Sequence, residues 1–409
     1  MSNYLIKLVP VGKFFFGGEM TFSVGAKERP KNWDKLTKEE KEKVEKEIKD
    51  NTRYSSYIIK SEKFPQQTSL LGMLRFLLLR NSQDLFDVDN NKIKEGKKIK
   101  EEVKNLIGER GFAANDKDEY GNPKNNSFGV IKSLSPGFLM KGYKDEEKKI
   151  PNIVTKLPMD YGLKEIDISA TSSLSYNDNQ IYLSKVVSGK KDNGDEELYS
   201  AKDGIYTRFG NNEEIYEVSD IFIEDERIGI NRDIKTGHTE NNALFKQVNY
   251  RLADGFCFAF YADIDIDKEI IKKYSSQIVS LGADNSQFLI QISEADYLKP
   301  SLPSSNVTTK GCYGKIVLTS PALIDKDTAK QADFTIAETI PFKYMQTTIE
   351  CKSYHRLSGI SHSKKEFLFQ TGSVFYFKSS KNLDSFKAAI EKRKDFNQIG
   401  YNQYQKVIY

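Results

Sequence analysis

The clearest alternation of apolar and polar positions in this chain lies between residues 221 and 288. Residues 221–230 are rich in β-branched side chains, residues 231–242 are polar, and residues 245–262 are strand-like again. A polar segment between two strand patterns is typical of a β-hairpin. The pattern therefore predicts a long hairpin whose tip carries cations and amides, and such a charged finger suggests contact with RNA.

The second arm of this predicted hairpin carries three phenylalanines at alternating positions, Phe256, Phe258 and Phe260. Alternate residues of a strand point to the same side, so the three rings should share one face of a sheet. A helical pattern over residues 267–281 follows, with Asp267 as its cap, and this helix would cover the face. The segment thus predicts a β-β-α unit.

A strand and a helix are predicted near the N-terminus. The strand covers residues 4–10 and leads into the loop 11–18, where two adjacent glycines permit turns that other residues resist. The helix begins after Pro65, with Thr68 or Ser69 as its N-cap, and stays apolar through residue 79. We expect this helix to be buried.

Two polar segments interrupt the regular elements and are interpreted as insertions, at about residues 27–60 and 82–220. The first is dense in Lys and Glu, and Thr37 and Glu40 have the spacing of a capping box, so part of it should be a solvated helix. The second contains turn-rich stretches and is expected to decorate the scaffold.

Without the insertions, the predicted elements follow the order βαββαβ, which is the ferredoxin-like or RRM-like arrangement. The strands begin near residues 4, 221, 245 and 287, and the helices near residues 69 and 267. Residues 1–300 would form this first domain, with the finger at 231–246.

The last hundred residues predict the same order, so residues 301–409 would form a second ferredoxin-like domain. Strands are expected near residues 315–319 and 349–356, followed by a hairpin over 366–377 that turns at Thr371 and Gly372. A helix over 385–392 and a strand over 403–409 complete the pattern, while its first helix has no clear position. The fold class predicted is α+β, with two ferredoxin-like domains, large insertions and a β-hairpin finger.

Composition limits the class of protein. The chain has 409 residues, 38% of them hydrophobic, which is enough for a sizeable core and two domains. The net charge is only +4, so any nucleic-acid surface must be a local patch. Three separated cysteines and the absence of a long apolar run favour a reducing, cytoplasmic location.

Several side chains are candidates for RNA contact. Cations of the finger could neutralise phosphates while its amides bond sugars or base edges, and an ordinary solvated hairpin tip is the alternative. The finger candidates are Asn231, Arg232, Lys235, His238, Asn241, Asn242 and Lys246.

A second group of candidates surrounds the start of the helix near residue 67, where free N–H groups and the helix dipole suit a phosphate. Simple capping of the helix is the alternative, and both can hold together. This group comprises Lys13, Gly17, Gly18, Gln66, Gln67, Thr68, Ser69 and Arg75. Phe16, Tyr250 and Tyr401 are candidates for stacking on unpaired bases, and such a stacked base contributes about 1–3 kcal/mol.

Catalysis has few candidates, because His238, His355 and His362 are the only histidines. His355 and Arg356 could serve a metal-independent ribonuclease, although such a cluster is more often structural or phosphate-binding. Asp263, Asp265 and Asp267 lack the loop glycine and terminal Glu of a calcium loop. No polymerase or P-loop signature is present, so we predict no enzyme activity, no metal and no cofactor.

Taken in order, several short motifs resemble the RAMP superfamily of CRISPR RNA-binding proteins, and within it the family called Cmr subunit three of type III-B effector complexes. The resemblance covers most of the chain outside the two insertions. It rests on the residues 14–18, 64–75, 228–232, 236–237, 243–245, 281–282, 355–359 and 371–377. The superfamily often carries glycine-rich loops before a domain's last strand, and this chain departs from that pattern at 282–285 and 400–402.

The resemblance implies a non-catalytic subunit that grips the repeat-derived 5′ tag of the guide RNA, with the finger at the junction of tag and guide. Its partners would be the large polymerase-domain subunit and the first copy of the backbone filament subunit. A guide-processing endoribonuclease of the same fold and a purely structural bridge are the alternative functions.

Overall fold

The computed structural model describes residues 3–17, 20–22, 36–51, 57–108, 127–142, 152–161, 165–167, 187–190, 196–199, 206–208, 211–232, 239–299, 302–303, 307–346, 361–363 and 365–409. Within these residues the fold is mixed α+β, with several antiparallel sheets and eight helices. None of the described helices has the length and apolar character needed to cross a membrane.

The helices are α1 (Lys38–Asn51), α2 (Gln67–Arg80), α3 (Lys97–Ile107), α4 (Val218–Ile221), α5 (Lys268–Lys272), α6 (Lys326–Ala329), α7 (Ser380–Glu391) and α8 (Lys394–Gln398). The strands of the first half are β1 (Asn3–Pro10), β2 (Met20–Phe22), β3 (Tyr57–Lys60), β4 (Phe86–Asp87), β5 (Lys92–Ile93), β6 (Ile131–Leu134), β7 (Phe138–Lys141), β8 (Ile153–Lys156), β9 (Glu165–Asp167), β10 (Val187–Lys190), β11 (Glu196–Tyr199), β12 (Tyr206–Arg208) and β13 (Asn211–Tyr216). The second half adds β14 (Phe222–Arg232), β15 (Thr239–Leu252), β16 (Phe256–Ile264), β17 (Ile278–Ser280), β18 (Gln287–Glu294), β19 (Thr308–Lys310), β20 (Gly314–Leu318), β21 (Phe334–Ile336), β22 (Thr339–Phe342), β23 (Met345–Gln346), β24 (Ser361–His362), β25 (Glu366–Phe369), β26 (Val374–Phe377) and β27 (Tyr404–Ile408).

The main sheet is centred on β1, which lies between β16 and β18 with both neighbours antiparallel. β7 pairs with the other edge of β16, so the central order is β18-β1-β16-β7. The sheet continues beyond β7 through β8 and β12. The predicted strands at residues 4–10 and 287–292 are therefore confirmed in this sheet.

Both faces of the main sheet are buried. Phe256, Phe258 and Phe260 point into the core that contains the apolar face of α2, which confirms that the three rings share a face. Cys257 and Tyr261 point to the opposite face and pack in a second cluster. This explains why β16 is a continuous apolar run, which is typical of a strand covered on both sides.

The predicted arm over residues 245–262 is two strands, and placing Phe256 to Phe260 on the hairpin was wrong. Gly255 lies between β15 and β16 with a positive φ of 82°, and it follows Asp254 in a turn. The hairpin β14–β15 belongs to a separate four-stranded sheet in the order β14-β15-β3-β2. The sequence pattern predicted the hairpin strands as the second and third strands of the first sheet. In the main sheet these positions are occupied by β7 and β16.

The second insertion is more than decoration of the scaffold. Two strands within residues 82–220, β6 and β7, pair directly with β16 in the main sheet. Both are only four residues long and are buried at several positions. The prediction that this segment lies outside the scaffold was therefore wrong for these strands.

Two local predictions about helices are confirmed and one is wrong. Thr37 and Glu40 form a capping box at the start of α1, since the Thr37 N–H donates to the Glu40 carboxylate at 2.8 Å and the Glu40 N–H donates to the Thr37 hydroxyl at 3.4 Å. Asp267 caps α5 by accepting from the Glu269 N–H at 2.8 Å. The helix expected over 267–281 is short, because Ser276 takes a left-handed φ of 67° and the chain turns into β17.

The C-terminal sheet has the antiparallel order β21-β26-β20-β27, with α7 packed on one face. Its second strand is β21, whereas the residues 349–356 predicted for that place lie outside the described residues. The predicted helix over 385–392 is present as α7 and begins earlier, capped by Ser379. The hairpin predicted over 366–377 was wrong, since β25 pairs with β22 while β26 pairs with β20 and β21.

A buried ion pair connects the segment after β8 to this C-terminal sheet. The Lys315 Nζ lies 2.5 Å from the Asp160 carboxylate, and the two side chains are 3% and 0% exposed. The Tyr376 hydroxyl donates to the same carboxylate at 2.5 Å. The division into domains at residue 300 stays a prediction, but these contacts fix residues 152–161 against the second sheet.

Candidate RNA-binding surface

The predicted finger is the distal part of a long two-stranded hairpin. β14 and β15 pair antiparallel from Phe222 and Leu252 at the base to Arg232 and Thr239 near the tip, which confirms the predicted hairpin. The register shifts between Ile230 and Arg232, and such a bulge increases the local twist. Among the described residues, β3 pairs with β15 only at residues 245–248, so the arms beyond this point form a ribbon.

Cations at the base of this hairpin contact the acidic residues of β14. Lys246 lies 2.7 Å from Glu226, Lys60 lies 2.6 Å from Glu224, and Lys13 lies 3.0 Å from Asp225. The predicted contact residues Lys13 and Lys246 are therefore ion-paired within the chain. Exposed pairs of this kind contribute little stability, about 0–1 kcal/mol, so a phosphate can compete for either lysine.

The contact between Lys60 and Glu224 shifts the pKa of both groups. The hydrogen bond from Lys60 lowers the pKa of Glu224, and the same bond raises the pKa of Lys60. Tyr250 lies beneath them, and its hydroxyl lies 3.3 Å from the Glu224 carboxylate. Burial is the main cause that raises the pKa of Tyr250.

Three aromatic rings predicted to stack on bases are instead buried within the chain. Phe16 is 4% exposed, Tyr250 is 1% exposed and Tyr401 is 2% exposed. Phe16 stacks on Phe288 with ring centroids 5.9 Å apart. Since a stacked base needs an open ring face, we leave these three residues out of the RNA surface, and for them the sequence-based expectation was wrong.

The loop 11–17 connects the hairpin sheet to the main sheet. Phe14 exchanges backbone hydrogen bonds with Tyr250 of β15, and the Phe15 carbonyl accepts from Ala283 at 2.8 Å. Gly17 is exposed, and a Cβ at this position would meet nothing within 4 Å. The loop therefore holds the hairpin base against the main sheet while its end, at Gly17, faces open space.

The start of α2 is closed by another side chain. The Tyr401 hydroxyl accepts from the backbone N–H of Gln67 at 3.1 Å, so this N–H is not free for a phosphate. Burial is the main cause that raises the pKa of Tyr401 far above its ordinary value. The N-cap is Gln66 rather than the predicted Thr68 or Ser69, and Gln66 makes no side-chain capping bond.

The remaining candidates near α2 are separated from one another. Lys13 lies against β14 through Asp225, and the expectation that it faces the groove beside Gln66 was wrong. Arg75 places its guanidinium over the Phe128 ring, with 5.4 Å between the guanidinium carbon and the ring centroid. Ser69 is exposed and Thr68 is partly exposed, so both remain accessible beside the helix start.

The two loops that depart from the superfamily pattern pack against protein. Gly282 and Gly400 have positive φ values of 93° and 88°. A Cβ at Gly282 would collide with the Phe15 carbonyl, and one at Gly400 would collide with Ser135. Glycine is required at both places because the backbone of another segment approaches closely.

Several predicted site residues are not described, or only their backbone is. Gly18, Lys235, His238, His355 and Arg356 lie outside the described residues. Asn231, Arg232, Asn241 and Asn242 lie on β14 and β15, where the structure describes their backbone. Among the described residues, no group of three His, Cys, Asp or Glu side chains could hold a metal ion.

Sequence reasoning did not identify two lysines that line an internal cavity, Lys63 and Lys156. Burial is the largest cause that lowers the pKa of both. No local pattern marks them, since each lysine lies beside ordinary loop or strand residues. Only the packing of distant segments brings them to the same cavity.

Comparison with known proteins identifies one family. The model of the family described as "CRISPR-associated protein (Cas_Cmr3)" matches residues 190–407, which include the hairpin and the C-terminal sheet. No curated protein matches the chain.

Solved structures show distant likeness. One chain of a type III-B Cmr-beta complex bound to cognate target RNA and AMPPnP has 13% identity and a TM-score of 0.44, covering 98% of this chain and 96% of that chain. A chain of the Csm3-Csm4 subcomplex of a type III-A CRISPR-Cas interference complex has 14% identity and a TM-score of 0.33, covering 91% and 92%. Neither likeness is close enough to assign a role.

Proposed function

Because the chain belongs to the family of CRISPR-associated proteins described as Cas_Cmr3, we propose that it is a non-catalytic subunit of a type III-B effector complex. In this role it binds the repeat-derived 5′ tag of the guide RNA. It also bridges the large polymerase-domain subunit and the backbone filament subunit in antiviral defence. The hairpin β14–β15, which lies within the matched residues, carries the proposal.

The geometry of the hairpin supports a finger at the boundary of tag and guide. Its arms extend past the paired segment of β3, and Arg232 is the last residue of β14 before the tip. Acidic partners occupy the lysines at the base, whereas Arg232 and Lys235 belong to the polar sequence of the tip. Phosphates of the RNA backbone are the expected ligands of such a tip.

The sheet topology supports two ferredoxin-like units. In the first unit β1, α2, β7, β16, α5 and β18 follow the order βαββαβ. In the second unit β20, α6, β21, β26, α7 and β27 follow the same order. In both sheets the last strand lies beside the first, and the third strand lies between the first and the second, with all neighbours antiparallel.

An RNA-processing nuclease is the alternative within the same superfamily. Its two candidate histidines, His238 and His355, lie outside the described residues. The non-catalytic role therefore stays our proposal.

The proposal is tested by guide-RNA binding of the complex assembled with a variant in which Arg232, Lys235 and Lys246 are all changed to Ala. We expect weaker retention and a salt slope of log K that is shallower by about 2, since each single-strand phosphate contact contributes roughly 0.7. A matched variant changes three exposed lysines to Ala, namely Lys98 on α3, Lys326 on α6 and Lys330 at the C-cap of α6. Equal retention and equal slopes for the two triple variants would remove the finger from the RNA-binding role.

A further inference from the structure

A groove of about 980 Å³ runs along β27, the strand at one edge of the C-terminal sheet. Among the described residues β27 pairs only with β20, so its other edge has no neighbouring strand there. Three consecutive residues of β27, 404–406, line the groove. Consecutive side chains of a strand point to opposite faces, so a groove that touches all three lies along the edge of the sheet. We call this feature, between residues 402–406 and the ends of α7 and α8, the β27 groove.

The register of β27 shows which of its backbone groups face the open edge. In an antiparallel pair, residues alternate between those that exchange hydrogen bonds with the partner strand and those whose N–H and C=O groups point away from it. The Tyr409 N–H donates to the Tyr313 carbonyl at 3.1 Å, so the odd-numbered residues of β27 bond to β20. The N–H and C=O groups of Tyr404, Lys406 and Ile408 therefore point toward the open edge.

An open strand edge offers alternating donors and acceptors, which another extended polypeptide can pair in register. Natural proteins protect such edges with short strands and lysines, and β27 has five residues and carries Lys406. Ile408, near the end of the strand, is apolar and yet 46% exposed. A lysine on the edge disfavours a basic strand and favours an acidic one, since opposite charges on neighbouring strands attract.

The charge of the β27 groove is mostly positive. Lys387 lies 3.8 Å from Glu391, and Lys406 lies 3.2 Å from Asp384 of α7. Exposed pairs of this kind are weak, so the carboxylates of a partner can compete for these lysines. Two further lysines of the groove are exposed and have no acidic partner among the described residues, namely Lys299 and Lys394.

The same groove is poorly suited to reading RNA bases. Tyr404, the aromatic residue of the lining, is partly buried, and its hydroxyl donates to Glu391 at 2.5 Å. The Glu391 carboxylate would also repel a phosphate placed beside it. Side-chain amides of the lining already donate to backbone carbonyls, namely those of Asn397, Gln398, Asn402 and Gln403. The open backbone groups and the lysines together favour a peptide as the occupant.

We propose that the β27 groove binds an extended acidic segment of another protein chain, which adds to the four-stranded C-terminal sheet as a further strand beside β27. The backbone of this segment pairs with the outward groups of Tyr404, Lys406 and Ile408, and its carboxylates lie toward Lys387 and Lys394. The surface contains none of the finger residues, so the inference goes beyond the proposed binding of the tag. An RNA strand in the same groove is the competing occupant.

Binding of a synthetic peptide to the purified chain tests this surface. The probe alternates Glu and Val, so that its carboxylates share one face when it is extended. We expect it to bind, whereas a peptide that alternates Lys and Val should not. The Glu-Val peptide methylated on every backbone nitrogen keeps its charges but has no N–H to donate, so it should bind about tenfold more weakly. Calorimetric titration measures the three affinities.

A triple variant tests the lysines without changing β27. Replacement of Lys299, Lys387 and Lys394 together with Ala should weaken binding of the Glu-Val peptide by about tenfold. The matched control replaces Lys98, Lys326 and Lys330 with Ala, which removes the same charge elsewhere and should leave the affinity unchanged. Equal weakening by the two triple variants would mean that only net charge matters, and it would overturn the groove as the binding site.

Hydrogen exchange separates a paired strand from a bound polyanion. Strand pairing protects the outward amides of Tyr404, Lys406 and Ile408, whereas an RNA strand held by lysine side chains leaves them exchanging. The proteolytic fragment that covers β27 should therefore gain about three slow amides with the Glu-Val peptide and none with an oligouridylate. Exchange of β21, at the opposite edge of the sheet, should not change. Absence of this protection, or tighter binding of the oligouridylate, would overturn the proposal.

Carbodiimide coupling in the assembled complex identifies the natural partner, because it joins a lysine to a carboxylate in direct contact. We expect Lys299 or Lys394 to be coupled to an Asp or Glu of another subunit. Coupling only to carboxylates of this chain, or ultraviolet crosslinks from RNA to the β27 fragment, would overturn the inference. The finger variant should bind the Glu-Val peptide as the wild type does, so either proposal can fail while the other stands.

Discussion

Tyr401 caps the buried helix α2, because its hydroxyl accepts the backbone N–H of Gln67 at 3.1 Å. The two residues lie more than three hundred positions apart, on the loop before the last strand and at the start of α2. The Gln67 side chain returns the contact by donating toward the Gly400 carbonyl at 3.4 Å. The start of α2 and the loop before β27 are thus joined by polar bonds inside the core.

The first prediction concerns this contact. Tyr401→Phe leaves the Gln67 N–H without its acceptor in a buried place, so the free energy of unfolding should fall by about 1–3 kcal/mol. Chemical denaturation followed by circular dichroism measures the change. Tyr313→Phe, at a side chain that is 37% exposed, is the control and should have little effect. Equal stability of the two variants would contradict the capping role.

The buried ion pair between Asp160 and Lys315 gives a second prediction. Lys315→Met leaves the Asp160 charge buried beside the Tyr376 hydroxyl, so the free energy of unfolding should fall by about 3–5 kcal/mol. Adding Asp160→Asn to this variant removes the uncompensated charge and should recover part of the loss. A double-mutant cycle by denaturation measures this, and strictly additive effects would show that the two side chains do not interact.

The acidic residues of β14 give a third prediction, in which a substitution strengthens binding of RNA. Glu226→Gln releases Lys246 from its partner at 2.7 Å, so binding of guide RNA should become stronger by a few-fold at low salt. Filter binding over a range of salt concentrations measures the affinity. The matched control is Glu269→Gln on α5, which removes a comparable ion pair with Lys272 at 3.1 Å. If both variants gain the same affinity for guide RNA, the effect comes from net charge, and Lys246 does not contact the RNA.

Cysteine reactivity gives a fourth prediction. Burial raises the pKa of Cys257 to about 12, so at pH 8 only about one thiol in ten thousand is ionised. Iodoacetamide should therefore leave Cys257 unmodified in the native protein and modify it in urea, as peptide mapping by mass spectrometry would show. Labelling at the same rate in both states would contradict the buried position of β16.

The sign of the linked stability change follows from the same shift. Folding raises the pKa of Cys257 above its ordinary value near 9, so the native state holds the proton more tightly than the unfolded chain. This contribution is complete below pH 9 and is lost as the pH rises toward 12. Cys257→Ala should reduce the loss of stability between pH 9 and 11 relative to the wild type.

The elements that sequence alone predicted are those with long, regular patterns. β1, α2 and the two strands of the hairpin β14–β15 are each eight or more residues long. β6 and β7 were missed because four residues are too few to show a period. The break between β15 and β16 was also missed. Only the turn at Asp254 and Gly255 marks it, and the sequence is strand-like on both sides of this turn.

The candidate site was harder to predict than the fold, for a physical reason. A sequence shows that Phe16, Tyr250 and Tyr401 are aromatic, but whether a ring faces solvent or core depends on segments far away in the chain. The lysines of the β27 groove are likewise brought together by packing, since Lys299 and Lys394 come from separate parts of the sequence. Ion pairing of Lys13 and Lys246 is also set by tertiary contacts.

The position of β1 between β16 and β18 has a consequence for synthesis of the protein. Tyr4 pairs with Ala262 on one side and with Glu294 on the other, so the two neighbours of β1 are synthesised roughly 260 and 290 residues after it. At about 5–20 residues per second, this delay is roughly 15–60 s. During that time the apolar side chains of β1 and α2 have no sheet to cover them. A chaperone that binds nascent apolar segments is therefore expected to increase the yield of this chain more than that of a protein built from sequential hairpins.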